Sequence, residues 1–132
     1  MTSYSITKTV SIDAPPNRVF EFLADATNWP KWAIVNVKSV TPIDDEWFEM
    51  ETPAGQAKLR IRPNPELGTL DHDFIAPDAS WTVPARVVPN GSGSEFMITF
   101  FQPPSFTRDF FEEQAALVEK ELAQLKALME VP

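Results

Sequence analysis

The chain has 132 residues, 43% of them hydrophobic, a formal net charge of −8 and no cysteine. This is enough to bury a core as one domain, residues 1–132, without staples. The charge excludes a protein built to grip phosphates, because Lys58, Arg60, Arg62 and Arg86 are scattered and the overall field opposes a polyanion, so no nucleic-acid partner is expected. The missing thiols exclude disulfides, thiolate nucleophiles and thiolate metal sites.

No apolar run approaches the ~18 residues of a membrane span, so no membrane insertion is expected. Met1-Thr2-Ser3-Tyr4 carries neither the basic flank nor the apolar core of a secretory signal, and a cytoplasmic address is the expectation. Along the chain, 13 prolines act as punctuation. An alternating strand, Ser5–Ile12, runs into Asp13-Ala14-Pro15-Pro16 and a helix carrying Val19, Phe20, Phe22 and Leu23. Pro30 then interrupts a short second helical turn near Trp29 and Trp32.

Six further strands are expected: Val35–Val40, Trp47–Glu51, Gln56–Arg62, Thr69–Ile75, Ser80–Val88 and Glu95–Phe101. Turns around Pro42, Pro53-Ala54-Gly55, Pro63-Asn64-Pro65 and Ala76-Pro77-Asp78 separate them. Pro89-Asn90-Gly91-Ser92-Gly93 is the strongest hairpin signal. Pro103-Pro104 end the sheet. A helix over Phe106–Glu130 closes the chain, with Phe111, Ala115, Val118, Leu122, Leu125 and Met129 on one stripe. At 1.5 Å per residue it spans about 37 Å, enough to cross a whole sheet. Strands segregated between helices, without βαβ alternation, give an α+β class and an antiparallel sheet.

Period-two alternation sorts the strands into two faces. Phe48, Met50, Leu59, Ile61, Leu70, His72, Phe74, Trp81, Val83, Ala85, Val87, Phe96, Ile98 and Phe100 share one. Glu49, Glu51, Lys58, Arg60, Arg62, Asp71, Asp73, Thr82 and Arg86 share the other. One wet and one apolar face suit a sheet packed on a single helix layer. Pro84 sits inside an otherwise good strand and is read as a bulge that bends the sheet.

His72 is the only histidine. On the inner face it is either a satisfied core imidazole or a general acid/base. Asp71 and Asp73 point to the opposite face, so they make no metal site with it. Gln114 and Glu121, seven residues apart, fall inside the apolar arc of the last helix. Either they orient a polar ligand group, or their stems pack while their heads stay wet. Trp29, Trp32, Trp81 and the phenylalanines are ordinary core or the walls of a site for a ring-containing ligand. No triad spacing, phosphate-binding glycine loop or zinc motif is present, and neither metal nor cofactor is expected.

The order of elements resembles the helix-grip, START-like (SRPBCC) superfamily. The best local matches are Ile12-Asp13-Ala14-Pro15 with Val19-Phe20, the Trp29/Trp32 pair, Arg86-Val87-Val88-Pro89-Asn90-Gly91, and Glu121-Leu122 with Leu125-Lys126. That superfamily includes START lipid-transfer domains, polyketide cyclase/dehydrase-like proteins and birch-pollen-allergen-like proteins. The turn Pro42-Ile43-Asp44-Asp45 lacks the glycine-rich loop of the pollen-allergen-like branch, the chain is shorter than START domains, and the polyketide-cyclase-like branch is the closest match.

The resemblance implies a curved seven-stranded antiparallel sheet gripping the C-terminal helix, with two short helices after the first strand. It also implies an apolar cavity between helix and sheet that binds, transports or senses a small hydrophobic molecule such as a lipid. The expected lining is Trp32, Phe48, Met50, Leu59, His72, Phe74, Trp81, Val83 and Phe100 from the first part of the chain, with Phe110, Gln114, Leu117, Val118 and Glu121 from the last helix. Phe74, Trp81, Phe100 and Val118 would face a common space, with Trp32 at its mouth. Two other functions stay open: a polyketide cyclase/dehydratase-like enzyme using His72 and Glu121, and an Hsp90-activator-like interaction module. A monomer or homodimer is compatible with either.

Overall fold

In the computed structural model, which describes residues 1–77 and 79–131, alternation places the first strand directly. Asp78, from the predicted turn Ala76-Pro77-Asp78, lies outside the described residues. β1 (Ser5–Ile12) exposes Ser5, Thr7, Thr9 and Ser11 and turns Ile6, Lys8, Val10 and Ile12 inward. Pro16 occupies the first turn of α1 (Pro16–Ala24), where a missing N–H costs nothing, and α1 buries Val19 and Leu23. The Asp25 carboxylate accepts the Thr27 N–H (3.0 Å) and starts a 3-10 turn, Ala26–Asn28. α2 (Trp29–Trp32) follows and buries both tryptophans.

The remaining strands are β2 (Ser39–Pro42), β3 (Trp47–Thr52), β4 (Gly55–Asn64), β5 (Thr69–Ala76), β6 (Ala79–Val83), β7 (Ala85–Asn90) and β8 (Gly93–Phe101). They form one antiparallel sheet in the order β1-β8-β7-β5-β4-β3-β2, with β6 paired to β5. The registers Phe48↔Leu59, Leu59↔Phe74, Phe74↔Trp81 and Val87↔Phe96 put the predicted apolar residues on one face.

Several boundaries differ from the sequence reading, among them β4, which runs through Pro63 to Asn64, and β8, which begins at Gly93; three of the differences have a clear local reason. The expected strand Ser80–Val88 is two strands, because Pro84 has no N–H to donate. Beyond it, the Ala85 N–H leaves the ladder and donates to Asp71 Oδ1 (3.1 Å). The expected strand Val35–Val40 begins only at Ser39, because residues 33–37 form a helical turn closed by Val37 N–H to the Ala33 carbonyl (2.8 Å). The last helix, α3 (Arg108–Met129), starts two residues late, where the Thr107 hydroxyl accepts the Phe110 N–H (3.2 Å).

α3 lies along β1 and α2 and buries Phe111, Ala115, Val118, Leu122, Leu125 and Met129, the predicted stripe, together with Glu121. Each large apolar side chain fully buried there contributes about 1.5–3 kcal/mol. Polar ties fix the helix lengthwise. Lys8 on the β1 edge meets Glu119 (2.7 Å), Lys126 donates to the Ser11 carbonyl (2.8 Å), and the Asp13 N–H donates to Glu130 (2.9 Å). On the outer face, Asp73 accepts from Arg62, Thr82 and Arg60, which together hold its carboxyl well below the usual carboxylate range. Gly68 is required: its φ is +72°, and a Cβ there would overlap the Val87 carbonyl oxygen.

Candidate functional site

The fourteen residues expected around the cavity divide evenly by burial. Trp32, Met50, Leu59, His72, Val83, Val118 and Glu121 are buried. Phe48, Phe74, Phe100, Gln114 and Leu117 are half-buried, and Trp81 and Phe110 are exposed. Side chains of the inner sheet face that keep solvent access mark where the helix does not cover the sheet. Trp81, with Phe74 against it, lies by the end of β8, whereas Phe48 on β3 is set apart from them by the fully buried Leu59.

Trp32 lies deep in the core, not at a mouth: it is 2% exposed and packs edge-on against Trp29 and Phe96. The Trp29 indole N–H reaches the Leu23 carbonyl (2.9 Å), whereas the Trp32 indole N–H is buried without an acceptor among the described residues. From Trp32 a run of aromatic rings leads outward through Trp29, His72 and Phe74 to Trp81. Successive centroids are 5.1, 4.8, 5.3 and 5.7 Å apart. The run starts in the core and ends at solvent.

His72 is the polar member of this run. Its Nδ1 lies 2.9 Å from the Leu70 carbonyl, which only accepts, so the proton of the neutral ring sits on Nδ1 and Nε2 keeps its lone pair. Burial pulls its pKa down to about 4, against the hydrogen bond to Leu70, so the ring is uncharged at neutral pH. Glu121, the other ionisable group placed inward, is taken up by the chain itself. The Val35 and Asn36 N–H groups donate to its Oε2 (3.1 and 3.0 Å), and Asn36 Nδ2 donates to Oε1 (3.1 Å). Burial raises its pKa while these donors oppose the rise. No hydrogen bond or ion pair joins Glu121 to His72 among the described residues, so the two are not assembled as an acid/base pair.

The sequence reading missed the donors to Glu121 because they sit 85 and 86 residues away, in a segment that looks like a strand. The signal available was the Asn36 between two valines, a residue that breaks a strand pattern and supplies side-chain donors. Two shallow grooves stand out among the described residues, and of the fourteen expected lining residues only Trp81 borders either. One of about 350 Å³ is lined by Ala79, Ser80 and Trp81 with Phe101 and residues 102–105. Another, about 260 Å³, runs between β1 and α3 beside the Lys8–Glu119 pair. No three His, Asp or Glu side chains among the described residues come together as a metal site.

A sheet open at one end, a long helix along it and an apolar inner face with one neutral histidine are features that a family comparison can test. Residues 3–130 match the model of the family described as polyketide cyclase / dehydrase and lipid transport. The chain belongs to this family. No protein of a curated collection matches it.

Solved structures agree on the fold. A START superfamily protein from Mycobacterium smegmatis superposes with a TM-score of 0.76 at 12% identity, over 96% of this chain and 97% of that one. The Aha1 dimer from Colwellia psychrerythraea gives 0.77 at 13%, over 97% of each chain. The di-domain ARO/CYC BexL of the BE-7585A biosynthetic pathway gives 0.74 at 17%, over 94% of this chain and 45% of that one. These likenesses establish the helix-grip architecture: an open antiparallel sheet with a long C-terminal helix. No helix among the described residues is long and apolar enough to cross a membrane.

Proposed function

We propose that the protein binds a small, largely hydrophobic molecule at the open end of the helix-grip, against the inner-face aromatics Phe74 and Phe100, which are half-buried, and Trp81, which is exposed. The observation carrying this reading is the Phe74–Trp81 pair, an apolar wall on the inner face that keeps solvent access and has the neutral His72 ring directly behind it. Ligand sites are mostly apolar with few polar groups, and here Nε2 of His72 supplies an acceptor for a ligand hydroxyl or amide. Gln114 and Leu117 on α3 form the facing side. In this reading Glu121 is a tie between α3 and the segment before β2 rather than a contact to the ligand.

An enzyme built on His72 and Glu121 receives no support from the geometry, since both oxygens of Glu121 are already engaged by Val35 and Asn36. Fluorescence titration with N-phenyl-1-naphthylamine tests the binding reading. Saturable enhancement is expected, weakened about ten-fold or more in Trp81→Ala, consistent with loss of one large aromatic wall. Equal affinity in Trp81→Ala and the unaltered protein would refute the placement. Native mass spectrometry of gently purified protein would show whether a natural ligand travels with it.

A further inference from the structure

Where β6 hands over to β7, the chain changes its main neighbour while the sheet stays continuous, β7 keeping one bridge to β5 (Thr69↔Arg86). Before Pro84 the strand follows β5, with Phe74↔Trp81 and His72↔Val83 in register. After Pro84 it follows β8, with Ala85↔Ile98. Along the edge of β8, the Thr99 N–H still reaches the Pro84 carbonyl (3.0 Å). Beyond it, no strand pairing joins the end of β8 to β6 among the described residues. β8 instead stays with β1, where Phe100 pairs Ile6 and Phe101 pairs Ser5. β6 and the end of β8 therefore lie near each other without ladder pairing beyond Pro84, and the groove of about 350 Å³ lies in the notch between them.

The walls of this notch have a definite chemistry. Ala79, Ser80 and Trp81 form one side, Phe101 and residues 102–105 the other, and none of them carries a charge. The second wall is held in place. The Gln102 N–H donates to the Tyr4 carbonyl (2.8 Å), and Gln102 Nε2 donates to the Phe106 carbonyl (2.9 Å). Trp81, at the lip, is continuous with Phe74 and His72 on the inner face.

We propose that this notch is a side door through the sheet, by which an uncharged apolar molecule reaches the inner face, and that Pro84 keeps it open. The inference rests on the binding function proposed above and adds its route and its selectivity. An uncharged passage imposes no desolvation penalty on a neutral molecule, whereas a charged one would lose water without gaining a partner. Proline is the device because a residue with an N–H at position 84 would offer a donor where the strand now breaks.

The chain has no cysteine, so an engineered pair is unique. Ser80→Cys with Ser105→Cys places one thiol on each wall with nearly conservative changes. Bridging them in the folded protein with a short bis-maleimide closes the door, and capping them singly with N-ethylmaleimide is the control. Stopped-flow fluorescence with N-phenyl-1-naphthylamine then reads uptake and release. In the bridged protein both rates are expected to fall about ten-fold or more, with the equilibrium Kd unchanged within about two-fold, as for a door and not a seat. Unchanged rates would overturn the door and direct the path to the gap between α3 and the sheet. Loss of affinity without slower exchange would make the notch a seat, which also overturns it. A protein that takes up no probe, bridged or not, would remove the binding function and the door together.

Discussion

The two halves of α3 meet different surroundings. Its C-terminal half closes one end of the molecule, with Leu125 at 0% exposure and Met129 at 5%, over Trp29, Trp32 and α1. Its N-terminal half begins at the other end, where Phe110 is 43% exposed, and Trp81 on β6 is 36% exposed. The closed end carries buried apolar area, a buried carboxylate tied to a turn, and lengthwise ion pairs. The open end carries aromatic surface with few polar ties. The N-terminal half also buries Phe111, Ala115 and Val118, so the difference lies in the aromatic side chains around them, which keep the solvent access that the proposed binding reading uses.

The largest effect that would break this comparison is a stability difference between matched truncations. Leu125→Ala should cost about 2–5 kcal/mol, as expected for a buried leucine. Phe110→Ala should cost less than ~1 kcal/mol, since the ring keeps mainly its edge contact with Phe106. Chemical denaturation at neutral pH measures both. Equal losses would mean that the open end is as tightly packed as the closed one.

Next comes the pH dependence of stability. His72 has a folded pKa of about 4, below its unfolded value of 6.5. Between those values the unfolded chain binds a proton that the folded one does not, so stability falls as pH drops from about 6.5 to about 4. The loss is on the order of 3 kcal/mol. Glu121 works in the opposite sense. Its folded pKa is raised above 4.5, so its own contribution gains stability as pH falls through the raised value and partly offsets the histidine. His72→Phe should flatten the acid limb, and Glu121→Gln should steepen it. Asp73, with its pKa lowered, stabilises the fold above its ordinary 3.8 and loses that stabilisation mainly below it, outside most of this window.

Much of this contrast was legible in the sequence, but unevenly. The strand phase was, because period-two alternation is local: β1 has the predicted bounds, and Phe48, Leu59, Phe74 and Val87 share a face as their spacing requires. The stripe from Phe111 to Met129 was legible for the same reason at helical spacing. Pro84 was read as a bulge in one strand, whereas the strand divides there into β6 and β7, and nothing local said that the two would follow different neighbours. The site was less visible. Whether Trp32 sits in the core or at a rim depends on Phe96, 64 residues away, and whether Glu121 faces a ligand or the 33–37 turn depends on Asn36, 85 residues away. Such contacts leave no periodic trace.

The turn itself gives a smaller test. Glu121→Leu removes the acceptor of the Val35 and Asn36 N–H groups and should cost about 2 kcal/mol, with hydrogen-exchange protection lost at both amides. Glu121→Gln retains one acceptor and should lose less. If protection of these amides survives the leucine change, the carboxylate is not what holds the turn.

The most direct test of ligand binding at the open end is amide chemical-shift mapping during titration with uncharged N-phenyl-1-naphthylamine. The account predicts saturable shifts concentrated at Phe74, Trp81, Phe100, Gln114 and Leu117, with Leu122, Leu125 and Met129 essentially unmoved. Shifts centred on the sealed half of α3, or none at saturating probe, would contradict it.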